Sequence, residues 1–247
     1  MTDVLLAKRF MQLFRGYSAA YGTYDHHKLG GSGKQKPSYL TKKQAYSPQE
    51  FLAHLNGSSP IGIYPLDDQE LVSFAAIDID EYPIVHEDIS KRLKDWNLPF
   101  VVCNSKSGGA HAYVFFQTPE LPGPTISCLS KVSNALGYAD AEIFPKQEFR
   151  QAGKFGSFIN LPFFRHTKLN YACWDGNRKL DLDGFLIFAE KQKTTLEKLS
   201  KAIELAKLPL TDIDAQTHKK NEASGRNDFI FKYSCELSEY VDDEKFF

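Results

Sequence analysis

Three apolar runs separated by helical and turn-forming segments indicate that the middle of the chain forms a sheet. Residues 73–80, 100–103 and 112–116 are rich in aromatic, β-branched and small apolar side chains, a composition typical of strands buried on both faces. Between the first two runs, Ile89 and Leu93 recur at helical spacing. The pattern therefore predicts a β-α-β unit followed by a third strand.

Further elements are predicted on both sides of this unit. One helix is expected to follow Ser47, which acts as N-cap with Glu50 closing a capping box, and to end before Gly57. Another is expected over residues 191–207, opened by Thr194 and Glu197 in the same two roles. The remaining predictions are a long loop over residues 23–46, a helix over 125–136, a short strand at 142, a strand over 156–162 and a polar linker over 208–222.

Two carboxylates stand at the end of the first apolar run. Asp78 and Asp80 are two positions apart, so in a strand they point to the same face, while Ile77 and Ile79 point to the other. Like charges at the end of a buried strand favour a bound cation, and carboxylate oxygens suit Mg2+ or Mn2+. Phosphoryl transfer is then the first chemistry to consider. The alternative is an acidic strand end in solvent, which is our interpretation of the D-x-D at residues 181–183, before a Gly turn.

A turn rich in Ser and Gly joins the second and third predicted strands. Its glycines let backbone N–H groups approach an anion, and its hydroxyl, ammonium and imidazole groups can donate to phosphate oxygens. An ordinary hairpin loop is the alternative, but the position directly after a paired-carboxylate strand favours phosphate binding. The candidate residues are Ser105, Lys106, Ser107, Gly108, Gly109 and His111.

A third acidic position follows the helix predicted over residues 125–136. Glu142 lies in the short strand-like segment, with Asp140 two residues before it on the same face and Lys146 four residues after it. Either acidic residue suits a third metal ligand. Asn160 is the one polar residue in an otherwise apolar strand, where its amide would either bind a ligand's sugar or base edge or cap a turn.

Four motifs, AAIDID, SKSGGAH, AEIFPKQ and FINLP, occur in this order along the chain. In this order they resemble the archaeo-eukaryotic primase superfamily, and most closely the primase-polymerase domains of phages and mobile elements, including TOTE-type primases. The resemblance extends over about residues 5–190. It implies an α/β (α+β) fold, in which an RNA-recognition-motif-like antiparallel or mixed catalytic sheet follows an N-terminal α/β unit and precedes a short helical extension.

The resemblance also implies a domain organisation. Residues 1–190 would form the primase-polymerase domain, with the N-terminal unit over 1–70 and the catalytic sheet over 71–190. A helix and linker would follow over 191–222. The last residues, 223–247, resemble the start of a small helical domain, so the chain is expected to be a piece of a longer protein, with a helicase in the same or a separate chain as partner. The alternative is a short helical tail that folds back on the core.

Residue roles follow from the resemblance position by position. Asp78, Asp80 and Glu142 match the acidic residues that hold two catalytic divalent ions, Mg2+ or Mn2+. Ser105, Ser107 and His111 match the motif that contacts the phosphates of the incoming nucleotide, and His111 counts among the catalytic residues. Lys146 and Asn160 match positions near the nucleotide. The implied substrates are nucleoside triphosphates and a single-stranded DNA template, and the implied activity is that of a DNA primase and polymerase, a nucleotidyltransferase.

The net charge of −1 hides an uneven distribution along the chain. Residues 1–50 carry eight Lys or Arg against three Asp or Glu, whereas residues 66–95 carry three against nine. An acidic block that contains the predicted metal site, beside basic segments, suits a template groove, although scattered charge on a solvated surface is the alternative. The expected template-binding residues are Lys34, Lys36, Lys42, Lys43, Arg150 and Arg165.

Composition limits the remaining classes. With 42% hydrophobic residues over 247 positions, the chain can bury one large core, and no apolar run reaches the length that spans a membrane. No signal-peptide pattern opens the chain, so a cytoplasmic location in a prokaryotic or phage-infected cell is expected. Four cysteines lie far apart in sequence, and we expect them to be reduced, with no zinc bound.

Two other functions fit the same residues. A metal-dependent nuclease could use Asp78, Asp80, Glu142 and Lys146 around a hydrolytic water, but it would not need the Ser/Gly/His turn and would cut without triphosphates. A non-catalytic module that binds single-stranded or origin DNA would keep its binding when Asp78 is replaced by Ala.

Overall fold

The computed structural model describes residues 3–25, 39–165 and 172–209. Within these ranges the chain forms six helices and ten strands. The helices are α1 (Asp3–Leu13), α2 (Pro48–Asn56), α3 (His86–Asp95), α4 (Pro122–Leu136), α5 (Leu182–Lys191) and α6 (Leu196–Leu205). The strands are β1 (Tyr21–Tyr24), β2 (Tyr39–Lys42), β3 (Gly62–Ile63), β4 (Val72–Ile79), β5 (Phe100–Asn104), β6 (Ala110–Glu120), β7 (Glu142–Phe144), β8 (Ile159–Asn160), β9 (Cys173–Asp175) and β10 (Arg178–Leu180).

The larger sheet has the strand order β10-β9-β5-β6-β4-β7, and every neighbouring pair in it is antiparallel. The segment β4-α3-β5-β6-α4-β7 is a β-α-β-β-α-β unit with spatial strand order β7-β4-β6-β5. This is the topology of an RNA-recognition motif, so the predicted fold class is confirmed. The predicted β-α-β unit consists of β4, α3 and β5. Its two strands do not pair directly, because β6 lies between them.

Apolar layers cover both faces of this sheet, which explains why β4 is a nearly continuous apolar run. On one face, Ala75, Ile77 and Ile79 pack in a core with residues of α3, α4 and α6. On the other, Phe74 and Ala76 pack in a core with residues of α1 and α5. Asp78 follows Phe74 and Ala76 in alternation, so it lies at the edge of the second core, where the apolar layer ends.

A smaller sheet, of order β2-β1-β3-β8, is antiparallel throughout. The ring of Phe158 lies against Gly22 in β1 and Gly62 in β3, where a Cβ would approach it within 2.3 Å. Two sequence predictions are corrected here. The predicted loop over 23–46 includes the end of β1 and all of β2, and the predicted strand over 156–162 is only two residues long, because its first half turns through Gly156 at φ +83°.

The starts of α2, α5 and α6 show which capping residues were predictable from the local sequence. The capping box of Ser47 and Glu50 is present at α2, and Gly57 ends that helix in the left-handed conformation, as predicted. The predicted helix over 191–207 is wrong in its start, because Thr195 caps α6 while Thr194 bridges to Phe116. The D-x-D at 181–183 is also corrected, since the strand ends before it and Asp181 caps α5.

Two of the cysteines that are distant in sequence are neighbours in the fold. Cys103 in β5 pairs in register with Cys173 in β9, and both are buried free thiols. Burial raises the pKa of Cys103, and the Cys173 thiol adds to the shift. Both thiols thus belong to the apolar core rather than to an exposed reactive site.

The chain divides into two compact units, residues 1–208 and 209–247. All the elements above belong to the first unit, and the predicted C-terminal helical domain lies outside the described residues. The domain boundaries remain predictions. Of the described helices, none combines the length and the apolar composition needed to cross a bilayer.

Candidate active site

Strand register brings three predicted site residues into one row. Asp78 in β4 lies opposite His111 in β6 on one side and opposite Glu142 in β7 on the other. Because directly paired residues project to the same face of a sheet, all three side chains emerge at the same edge of the core. The row therefore joins an acidic strand, the end of the Ser/Gly turn and the third acidic position.

Asp78 and His111 form the buried centre of the site. His111 Nε2 lies 3.1 Å from Asp78 Oδ1, and the two side chains are 6% and 17% exposed. The approach is close but does not have hydrogen-bond geometry, since Asp78 Oδ1 has no hydrogen-bond partner among the described residues. A buried carboxylate oxygen without a donor is costly, so this position favours an added cation or hydrogen-bond donor.

Tyr113 fixes the orientation of His111. The Tyr113 hydroxyl lies 2.7 Å from His111 Nδ1 and donates to the backbone carbonyl of Asn160 at 3.3 Å. Burial raises the pKa of Tyr113 well above 10, with contributions from Cys103 and Asp78, so the phenol keeps its proton. The phenol has a single proton, so whether His111 Nδ1 accepts that proton or donates to the phenol oxygen is set by the tautomer of the ring.

Asp80 holds the Ser/Gly turn at the exposed rim of the site. Its Oδ1 accepts from Ser107 Oγ at 3.3 Å and from the Tyr82 hydroxyl at 3.3 Å. Ser107 Oγ lies 3.0 Å from Ser105 Oγ, so the two hydroxyls of the turn and the carboxylate form one network. The network keeps both hydroxyls next to the acidic strand end.

The backbone of the turn lies directly against the end of β4. The carbonyl of Gly109 accepts from Ser105 N at 2.8 Å and from His86 Nε2 at 2.8 Å. A Cβ at Gly109 would lie 2.4 Å from the carbonyl oxygen of Ile79. Gly108 has φ +93° and open space around it. The two glycines are therefore needed for different reasons, Gly109 for close approach and Gly108 for backbone conformation.

Glu142 turns away from the centre of the site. Its carboxylate is 58% exposed and forms an ion pair with Lys146 at 2.5 Å, while the Lys146 ammonium also lies 4.9 Å from the centre of the Phe144 ring. Asp140 is exposed in the turn before β7. Across the described residues, no three His, Cys, Asp or Glu side chains converge as a metal site. The backbone thus brings the acidic residues to adjacent strands, but in this arrangement their side chains do not meet.

Two further predicted nucleotide-binding residues occupy different settings. Asn160 lies in β8 opposite Gly62, and its side-chain Oδ1 is a second buried oxygen without a hydrogen-bond partner among the described residues. Lys106 is held by aromatic rings, since its ammonium lies 4.3 Å from the ring centres of both Tyr24 and Tyr39 and donates to the Tyr39 hydroxyl. Lys106 is thus engaged on the side of the turn that faces the smaller sheet.

The predicted template-binding residues that the structure describes differ in what their side chains contact. Arg150 donates to the carbonyls of Leu66 and Asp67, and Arg165 donates to the carbonyl of Gly57, so both also hold backbone segments together. Lys42 ends β2 and is exposed, and Lys43 lies 5.9 Å from the centre of the Phe155 ring. Lys34 and Lys36 lie outside the described residues. Their roles remain predictions.

Sequence reasoning missed Tyr113, Tyr24 and Tyr39 as members of the site. The signal for Tyr113 was present, because it follows His111 by two positions in a strand and therefore shares its face. The contact of Tyr24 and Tyr39 with Lys106 had no local signal, since it joins two sheets.

A family model described as "TOTE conflict system, Archaeo-Eukaryotic Primase domain" matches residues 5–202. The resemblance noted from the motifs is thereby confirmed. No curated protein matches the chain. Among solved structures, the crystal structure of primase RepB' aligns with 98% of this chain and 76% of its own, at 11% identity and a TM-score of 0.38. A likeness of that size carries no argument about function.

Proposed function

Because the chain belongs to the archaeo-eukaryotic primase domain family of TOTE conflict systems, we propose that it is a DNA primase that joins nucleotides on a single-stranded DNA template. Membership of this family supports a primase-type nucleotidyltransferase with single-stranded DNA and nucleotides as substrates. Synthesis of short primers, a two-metal mechanism and a helicase partner are the finer parts of the proposal. The observation that carries it is the buried pair of Asp78 and His111 beside a Ser/Gly turn that Asp80 holds.

The acidic residues fit divalent ions by their chemistry. Asp78 Oδ1 is a buried carboxylate oxygen without a hydrogen-bond partner among the described residues, and Asp80 lies directly after the last residue of the same strand. Mg2+ or Mn2+ held there would neutralise the charge that develops on phosphate, attacking and leaving oxygens. Glu142 would complete the set of metal ligands. It would first have to separate from Lys146, and because their ion pair is exposed, breaking it costs little.

The remaining residues would bind and position the triphosphate. Ser105 and Ser107 present hydroxyls on the turn, and Gly108 presents backbone without a side chain in the way. His111 is held by Tyr113, so its Nε2 faces the place where phosphate and Asp78 would meet. No protein nucleophile is needed, because positioning and charge stabilisation supply most of the catalysis in phosphoryl transfer.

Primer synthesis on an unprimed template tests the proposal. The protein is incubated with single-stranded DNA, labelled nucleoside triphosphates and Mg2+ or Mn2+, beside Asp78→Asn. The matched control is Asp183→Asn, which changes an exposed Asp of the second D-x-D at the start of α5. We expect short metal-dependent products that fall by about 100-fold or more in Asp78→Asn and are unchanged in the control.

Three other results would contradict the proposal. Products that persist in Asp78→Asn would remove the metal site from the mechanism. Cleavage of the template without triphosphates would instead indicate a nuclease. DNA binding with no incorporation, either unprimed or on a primed template, would indicate a non-catalytic module.

A further inference from the structure

A cavity of about 640 Å³ opens beside the smaller sheet, between β2 and the segment that joins β7 to β8. Its volume lies within the roughly 300–1,000 Å³ of typical small-molecule sites. None of the residues described above as candidate metal or phosphate contacts lines it. Its lining includes Lys43, Tyr64, Gln147, Phe149, Lys154 and Phe155.

Aromatic rings form two walls of the cavity. The half-buried ring of Phe155 lies 5.8 Å from Tyr64 and 5.9 Å from Tyr17, measured between ring centres, so it is fixed in place. Phe149 is 62% exposed, which is unusual for so large an apolar side chain. A fixed ring and an exposed ring on the same concave surface suit a flat aromatic ligand.

The polar side chains that line the cavity carry ammonium, amide or hydroxyl groups. Lys43 lies over Phe155 at 5.9 Å, Lys154 is exposed, and none of the described lining residues is acidic. The side-chain amide of Gln147 lies directly over Gly156, where a Cβ would come within 1.6 Å of Nε2. Amide donors and acceptors suit the edge of a nucleobase, and the two ammonium groups suit the phosphates on either side of it.

Ring contacts connect the cavity to the candidate active site. Tyr64 lies 5.5 Å from Phe158, and Phe158 lies 5.9 Å from Tyr39, whose hydroxyl accepts from Lys106 in the Ser/Gly turn. Of these rings, Tyr39 is 51% exposed and can stack a base, whereas Tyr64 is buried and only connects the two sites. Single-stranded DNA is bound by surfaces of this kind, in which rings stack bases and cations neutralise phosphates.

We propose that this cavity holds one unstacked nucleobase of the single-stranded DNA template, with the flanking phosphates on Lys43 and Lys154. The ring of the base stacks on Phe155 or Phe149, and the amide of Gln147 contacts its edge. This inference rests on the proposed function, since the ligand is the template of that reaction.

Fluorescence anisotropy in EDTA tests the stacking part, because it measures DNA binding without catalysis. The probes are labelled (dT)12 and an oligomer of equal length built from abasic sites. Wild type should bind (dT)12 more tightly, and Phe149→Ala and Phe155→Ala should each weaken (dT)12 binding by about 5-fold or more without changing abasic binding. Phe149→Ala keeps the test independent of folding because that side chain is exposed, and Leu205→Ala, which alters a 72% exposed apolar residue of α6, is the matched control.

The salt dependence of (dT)12 binding tests the phosphate part. Lys43→Ala and Lys154→Ala should each reduce the slope of log K against log salt by about 0.7, the value for one phosphate contact on a single strand. Lys198→Ala, an exposed lysine of α6, should leave the slope unchanged. Equal binding of (dT)12 and the abasic oligomer by wild type would overturn the proposal, as would Phe149→Ala and Phe155→Ala variants that bind (dT)12 normally.

A third arm separates the template from a free nucleotide. If the cavity variants lose binding of a fluorescent nucleoside triphosphate but keep (dT)12 binding, the cavity takes a nucleotide substrate and the proposal fails. Primer synthesis by wild type together with normal (dT)12 binding by the variants would refute the cavity and leave the proposed function standing. Base-dependent binding at the cavity without any nucleotide incorporation would support the cavity proposal and contradict the proposed function.

Discussion

Adjacent glycines in the Ser/Gly turn provide a matched pair of substitutions. Gly109→Ala adds a Cβ that would lie 2.4 Å from the Ile79 carbonyl oxygen and 2.8 Å from Asp80 Oδ1, at a residue outside the left-handed region. Gly108→Ala adds a Cβ in open space, but at φ +93°. Gly109→Ala therefore introduces a steric clash at the site, whereas Gly108→Ala introduces backbone strain next to it.

The size of the Gly109 effect follows from the geometry. A carbon and a carbonyl oxygen need about 3.3 Å, so the turn must move about 0.9 Å away from β4. The contact between Ser107 Oγ and Asp80 Oδ1 would lengthen from 3.3 Å to about 4 Å, beyond hydrogen-bonding distance. A displacement of about 1 Å at a reacting centre costs on the order of 100-fold in rate. We expect Gly109→Ala to lose about that much in kcat/KM for nucleotide incorporation.

Gly108→Ala should affect stability instead. A left-handed conformation costs an L-residue about 1–2 kcal/mol, and in a domain of this size each kcal/mol lowers the Tm by about 2–4 °C. Incorporation kinetics and thermal unfolding followed by circular dichroism would be measured for both variants. Activity of Gly109→Ala within 3-fold of wild type would contradict a steric role for this glycine, and so would equal losses of activity in the two variants.

Three further predictions concern single side chains. Tyr113→Phe should lower kcat by about 10- to 100-fold with the fold intact, because His111 loses the hydroxyl that orients it; steady-state kinetics and circular dichroism check this. Lys146→Ala should lower the half-saturating Mn2+ concentration by about 1.5- to 5-fold in a metal titration, because Glu142 no longer shares an exposed ion pair worth roughly 0.2–1 kcal/mol. Burial lowers the pKa of His54 from 6.5 to about 4, so between pH 6.5 and pH 4 the unfolded chain binds a proton that the folded protein does not. The free energy of unfolding should therefore fall by about 3 kcal/mol as the pH drops from 6.5 to 4. Urea unfolding across that pH range should show this slope, and a His54→Gln variant that kept the full slope would contradict the assignment.

Features that depend on neighbouring residues were predictable from the amino-acid sequence. The capping box at Ser47 and Glu50 was predictable because its hydrogen bonds join residues three apart. The place of Asp78 in line with Phe74 and Ala76 was predictable because side chains alternate along a strand. The order of β4, α3, β5 and β6 followed from hydrophobic periodicity, whereas the fold class and the family came from the order of four motifs.

Contacts between residues that are distant in sequence became known from the folded structure. Strand register places His111 and Glu142 on either side of Asp78, and a shift of one residue in either pairing would turn those side chains to the opposite face. Packing between elements far apart in the chain produces three further features. It brings Lys106 to two tyrosines of the smaller sheet, places Arg150 against backbone carbonyls and forms the cavity around Phe155. Periodicity reports which face of an element is buried but not which element covers it, so these parts of the site were fixed by folding.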